Sequence, residues 1–100
     1  MVVTAYVISE VRIVDADAAA RYMALAEASI ARHGGRYIAR AALPEVPEGD
    51  WDECRRVVIV EFPTMAKLNE WYGSADYAEA LAIREPALDR RLLFVEGLEH

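Results

Sequence analysis

The sequence predicts an α+β fold of the ferredoxin-like kind, β-α-β-β-α-β, with a four-stranded antiparallel sheet and both helices on one face. Three observations predict it. Four short runs rich in Val, Ile, Leu and aromatic residues read as strands. Two stretches of helical periodicity separate them, and Asp, Gly, Pro, Ser and Thr punctuate the junctions. A chain of 100 residues fits one such unit. That unit is taken as residues 1–97, with Leu98-Glu99-His100 reading as the remnant of an expression tag.

The first strand runs from Val2 to Ile13, where β-branched residues dominate. Asp15 follows as a helix cap. From Ala16 to Arg32 the residues Ala19, Tyr22, Met23, Ala26 and Ile30 recur at helical spacing and form one apolar stripe. His33-Gly34-Gly35 ends that helix, because glycine enters the left-handed conformation without a Cβ clash. A second strand spans Arg36 to about Leu43. Pro44, Pro47 and Gly49 then mark a long irregular hairpin loop. The third strand, Arg55 to Phe62, carries the strongest β signal in Val57-Val58-Ile59-Val60. Thr64 caps a helix that reaches Tyr72, breaks at Gly73 and restarts from Ser74. It is expected to stop near Glu85, because Pro86 disfavours continuation. Arg90 to Glu96 forms the last strand.

Side chains alternate across a strand, so each strand divides into two sets. Val3, Ala5 and Val7 oppose Tyr6 and Ile8; Val57 and Ile59 oppose Val58, Val60 and Phe62; Leu92 and Phe94 oppose Leu93 and Val95. Three strands are thus apolar on both faces, whereas the helices cover only one. Each large apolar side chain left in water forgoes roughly 1.5–3 kcal/mol as an upper figure. The expected remedy is a homodimer through the open sheet face, centred on the first, third and last strands. In the second strand Arg36 and Arg40 share a side at strict alternation, making that strand the expected source of a polar group aimed at a ligand.

The net charge of −6 argues against nucleic acid as a partner. The pairs Arg55-Arg56 and Arg90-Arg91 stand where strands begin and read as solvated strand ends. No run approaches the ~20 apolar residues of a membrane span, and no signal peptide is visible. The single Cys54 makes no internal disulfide, which fits a reducing cytoplasm.

Further motifs give a family resemblance. His33-Gly34-Gly35-Arg36-Tyr37 follows the first helix, and Glu48-Gly49-Asp50-Trp51 lies in the loop. Val58-Ile59-Val60-Glu61-Phe62-Pro63 is followed by Trp71-Tyr72 with Ser74 and Tyr77, and Val95-Glu96-Gly97 closes the order. In these the chain resembles the domain of unknown function 1330 family of the dimeric α/β-barrel superfamily, over nearly its full length. The resemblance implies the ferredoxin-like fold and pairing through the sheets, but no reaction. Superfamily relatives include cofactor-independent monooxygenases, haem-degrading enzymes and lactone isomerases, an analogy at the level of fold.

Candidate chemistry gathers first at Trp71, Tyr72, Ser74 and Tyr77, around the helix break. Aromatics with polar tips can line a pocket for a flat ligand, and Tyr37 joins them as a candidate. The competing reading has Trp71 and Tyr77 packing the core while Ser74 caps. Arg40 and Glu61 form the second group, either paired with each other or turned on a ligand. In the latter case Arg40 holds a carboxylate or enolate oxygen and Glu61 acts as a base. Glu48, Asp50 and Trp51 suit a lid or a contact across a dimer. With Asp52, Glu48 and Asp50 lack the glycine and distal glutamate of a calcium loop, so no metal is expected. His33 reads as a helix-end residue and Cys54 as inert. No phosphate-cradling loop and no cofactor is indicated.

Two functions are compatible with these residues. One is a dimer that binds a small aromatic or enolisable metabolite between sheet and helices, or engages a partner protein, without catalysis. The other is a cofactor-independent monooxygenase- or isomerase-like enzyme. A solvent-connected pocket of roughly 300 Å³ or more, holding inward Arg40 or Glu61, favours the enzyme. A pocket filled by Trp71 and Tyr77 counts against it.

Overall fold

The computed structural model describes residues 3–52 and 55–99. Its elements are β1 (Ala5–Ile13), α1 (Ala16–Arg32), β2 (Arg36–Ala42), β3 (Arg56–Phe62), α2 (Met65–Tyr72), α3 (Ala75–Ala87) and β4 (Leu88–Glu96). The strands form one antiparallel sheet in the order β2-β3-β1-β4. This is the expected ferredoxin-like arrangement, with the second helix divided in two.

Local chemistry sets the helix boundaries. The side chains of Asp15, Thr64 and Ser74 accept hydrogen bonds from the backbone N–H groups of Ala18, Lys67 and Tyr77. Each satisfies a donor that the first helical turn leaves unpaired. Gly34 closes α1 at φ +80°, the left-handed region. Gly35 is required for another reason: a Cβ there would stand 2.7 Å from the Phe62 ring and 2.8 Å from Ile30.

One boundary departs from expectation. Helix α3 continues through Pro86 to Ala87, and β4 begins at Leu88 rather than Arg90. Pro86 lies in the last turn, so the one i→i−4 bond it forgoes and the distortion its ring causes stay at the helix end. Burial and pairing then hold the junction: Ala87 and Leu88 are buried, the N–H groups of Val14 and Asp15 donate to the Ala87 carbonyl, and Leu88 pairs with Ile13.

The core lies between one sheet face and the helices. Ala5, Val7, Val60 and Phe62 meet Tyr22, Ala26 and Ile30 of α1, Leu68 and Trp71 of α2, and Tyr77 and Ala80 of α3. The opposite face carries Tyr6, Ile8, Val57, Ile59, Leu93 and Val95, with Leu93 55% exposed. In register, Ile8 stands between Ile59 and Leu93. Directly paired cross-strand ions surround this strip: Glu10 with Arg91, Asp89 with Arg12, and Glu61 with Arg36. Phe94 belongs to the helix-facing set, since its ring meets Tyr72.

Strand β2 does not keep strict alternation. Its register against β3 slips by one residue between Tyr37 and Ala39, and again before Ala42. The extra residue, Ile38, reverses the parity of the downstream part of the strand. Arg36 therefore lies on the open face against Glu61, and Arg40 turns to the helix side. The expectation that Arg36 and Arg40 share a side fails for this reason.

Candidate functional site

Between sheet and helices lies a cavity of about 70 Å³. Val7, Val58, Val60 and Leu92 give it an apolar wall, and Met23, Ala26, Ile30 and Trp71 cover it. The exposed lining residues Ile13, Arg40 and Arg56 mark its mouth. Ser9 lies in the lining between Val58 and Leu92, its register partners on either side.

The polar centre of the cavity is Arg90. Its side chain shares the parity of Leu92 and Phe94, so β4 carries it inward while Arg91 points out to Glu10. The guanidinium donates to the Tyr22 hydroxyl at 2.7 Å and to the Tyr77 hydroxyl at 2.8 Å. These two phenols are themselves 2.6 Å apart. No carboxylate pairs with Arg90 among the described residues. A partly buried cation of this kind is costly unless dipoles or an anion compensate it. A guanidinium has five N–H donors; the two bonds to tyrosine leave three for a ligand or water.

The Tyr22 phenol stays neutral at ordinary pH. Burial pushes Tyr22 far above the usual phenol range, and the neighbouring Tyr77 adds to the shift. Burial raises Tyr37 as well. One phenol proton bridges the tyrosine pair. When Tyr77 donates, the Tyr22 proton is left to meet a ligand oxygen, and Tyr22 is the member of the pair that lines the cavity. Among the described residues three arginines, Arg40, Arg56 and Arg90, line the cavity, and no Asp, Glu or His does. In a chain of net charge −6 the cavity thus has the opposite sign to the protein as a whole.

The residues expected to form a site fall into distinct places. Tyr37 lines the cavity, with the Arg40 guanidinium 4.6 Å from its ring centroid. Arg40 stands at the mouth, where it forms a bidentate pair with Glu27 of α1. It does not meet Glu61, which lies on the open face with Arg36 because the bulge separates them. Trp71 forms part of the wall, but it is 2% exposed, packs on Phe62 and Tyr77, and donates its Nε1–H to Ser29. Tyr77 is fully buried and acts through Arg90 and Tyr22.

Ser74 spends its hydroxyl on the Trp71 carbonyl and the Tyr77 N–H, so it caps α3. Tyr72 lies outside the lining, against Phe94 and Trp71. Glu48, Asp50 and Trp51 sit on the hairpin loop away from the cavity, and Cys54 lies outside the described residues. His33 ends α1, its ring Nδ1 donating to the Ser29 carbonyl. Among the described residues no cluster of His, Cys, Asp and Glu has the makings of a metal site. No helix among them is long and apolar enough to cross a membrane.

The pocket is not the one that would favour an enzyme. Its volume falls well short of the roughly 300 Å³ of a typical small-molecule site. Trp71 and Tyr77 are core, and Glu61 is elsewhere. Tyr22, Ser9 and Arg90, which the sequence reading did not single out, supply its inner polar groups.

Comparisons place this geometry among known proteins. The family described as Domain of unknown function (DUF1330) matches residues 4–98. No curated protein matches the sequence significantly. A protein of unknown function from Rhodopseudomonas palustris has a similar structure, with TM-score 0.79 and 25% identity over 97% of this chain and 84% of its own. A putative antibiotic biosynthesis monooxygenase from Caulobacter crescentus CB15 superposes with TM-score 0.66 at 16% identity, covering 96% of this chain and 91% of its own. A Mycobacterium tuberculosis protein gives TM-score 0.55 at 22% identity, covering 97% and 95%. The latter two share the fold.

Proposed function

The chain belongs to the DUF1330 family, and we propose that it binds a compact anionic metabolite in the cavity between sheet and helices. The observation that carries this reading is Arg90, a cation without a carboxylate partner among the described residues, clamped by Tyr22 and Tyr77 at the cavity. A carboxylate or enolate oxygen would take the N–H donors that the tyrosines leave, in the bidentate geometry that guanidinium favours. Arg40 and Arg56 at the mouth would draw such an anion in.

Size narrows the class. An engineered apolar cavity that binds benzene measures about 150 Å³, roughly twice the 70 Å³ present. A short aliphatic acid fits better than an aromatic ring. The absence of a carboxylate or imidazole base from the lining, among the described residues, supports binding over proton abstraction. The proposal includes a homodimer: the apolar strip of Tyr6, Ile8, Ile59, Leu93 and Val95, rimmed by ion pairs, has the make-up of an interface with a second copy. The lone cysteine suits the reducing cytoplasm, where the proposal places the protein.

Titration with acetate, propionate and lactate, followed by calorimetry and ligand-observed NMR, tests the binding site. Wild-type protein is expected to bind at least one of them, and Arg90→Gln to lose that binding while keeping its far-ultraviolet dichroism. Equal binding by Arg90→Gln would refute the assignment.

A further inference from the structure

Ser9 presents an unusual feature for the middle of a core strand. It is 3% exposed, yet its Oγ has no hydrogen-bond partner among the described residues. The side chain shares the inward parity of Val7 and Val11 and lines the cavity with them. Alanine or valine would pack there without leaving a buried hydroxyl unsatisfied, a situation that proteins generally avoid. The other buried serine is spent: Ser29 donates to the Ala26 carbonyl and accepts from Trp71. The Ser9 hydroxyl is therefore an unused donor and acceptor among the apolar side chains of β1, β3 and β4 that form this wall.

Its position relative to Arg90 is fixed by the ladder. Val11 pairs with Arg90 and Ser9 with Leu92, so Ser9 and Arg90 are diagonal neighbours on one face. Diagonal positions lie roughly 7–8 Å apart at the backbone. A short ligand whose anionic end sits on Arg90 can reach Ser9 with a second polar atom.

We propose that Ser9 is the second anchor of this cavity and that its ligand is a short-chain hydroxy or keto acid. The carboxylate lies on Arg90 and the Tyr22 hydroxyl, and the additional oxygen meets Ser9 Oγ. A hydroxyl on the ligand accepts from or donates to Ser9, and a keto oxygen accepts from it; either satisfies the orphan group. This inference rests on the anion-binding reading above and specifies it.

The test compares lactate and pyruvate with propionate, which matches them in length but lacks the second oxygen. Wild-type protein is expected to bind lactate or pyruvate about tenfold more tightly than propionate, the contribution of one added hydrogen bond to a buried group. Ser9→Ala should abolish that preference, bringing lactate and pyruvate to the affinity of propionate in the same variant, and raise the melting temperature of the free protein by a few degrees. Propionate binding as tightly as lactate and pyruvate in the wild type, or a preference that survives in Ser9→Ala, would overturn the role of Ser9 while leaving anion binding at Arg90 intact. If none of the three acids binds, the anion site and the second anchor fail together. The wild-type comparison needs no variant to fold, so the ligand series stands by itself.

Discussion

Replacing Tyr22 with phenylalanine removes one oxygen and nothing else of the ring. That oxygen accepts a bond from Arg90 at 2.7 Å and shares another with Tyr77 at 2.6 Å. Hydrogen bonds to a charged group contribute about 1.5–3 kcal/mol, and neutral ones about 0.5–1.5. Their simple sum overstates the loss, because Arg90 keeps Tyr77 at 2.8 Å and retains some access to water. A destabilisation of about 2–3 kcal/mol is expected, a sizeable share of the 5–15 kcal/mol typical of a whole domain. At roughly 4–8 °C per kcal/mol for a domain of this size, the melting temperature should fall by about 10–20 °C.

The assay is urea unfolding followed by far-ultraviolet dichroism. Protein concentration must be held fixed, since any dimer links stability to concentration. Tyr72→Phe is the matched control: its ring is 37% exposed and its hydroxyl bonds to no described residue, so its effect should stay within about 0.5 kcal/mol. A Tyr22→Phe effect as small as the control's would refute the clamp. In a double-mutant cycle with Tyr77→Phe, the two losses should be non-additive, because both hydroxyls serve one guanidinium.

Three further outcomes are expected. Light scattering at micromolar concentration should give a dimer mass, and Ile59→Lys or Leu93→Lys should shift it to monomer with the fold retained; a monomeric wild type would remove the pairing. Phe94 is unsuitable for that test, because it faces the helices and its replacement by lysine damages the core instead. Ala41→Gly should stabilise by about 0.5 kcal/mol, since Ala41 sits at φ +53°, where an L-residue is strained by about 1–2 kcal/mol and glycine recovers part of this; a loss of stability would contradict it. Stability should also decline at alkaline pH. Burial holds the Tyr22 phenol above its ordinary value of 10.0, so the folded chain keeps a proton that the unfolded chain releases. The contribution is complete below pH 10 and falls above it by up to about 1.4 kcal/mol per unit for Tyr22. The partly exposed Tyr37 adds less. Tyr22→Phe should flatten that decline, measured by urea midpoints on either side of pH 10, and an unchanged slope would sink the argument.

What the sequence revealed was what local chemistry decides. Asp15, Thr64 and Ser74 cap helices through bonds made within three residues, and Gly34 needs its left-handed turn whatever surrounds it. Strand parity was legible for the same reason, and it correctly divided the apolar residues of β1, β3 and β4. The site was less legible because its parts meet only through pairing. Ile38 is an ordinary strand residue in isolation; only its register against β3 makes it a bulge and separates Arg40 from Glu61. Arg90 did carry a signal. Counted back from Phe94 and Leu92, it shares their inward side, but its place in an Arg-Arg pair suggested a solvated strand end. Ser9 and Tyr22 looked unexceptional for a strand and a helix stripe, and only the cavity between them gives them a role.

The extra residue Ile38 in β2 resembles a frameshift within one strand. Upstream of it, Arg36 addresses the open face of the sheet through Glu61; downstream, Arg40 addresses the cavity mouth through Glu27. Deleting Ile38 would leave Arg36 and Arg40 three positions apart, so plain alternation would hold them on opposite faces and the bulge would vanish without moving either cation. The bulge is thus what lets a spacing of four residues, even by count, act as an odd one. One unpaired residue in this short strand therefore decides which face of the sheet a cation serves, while the core side chains keep their places.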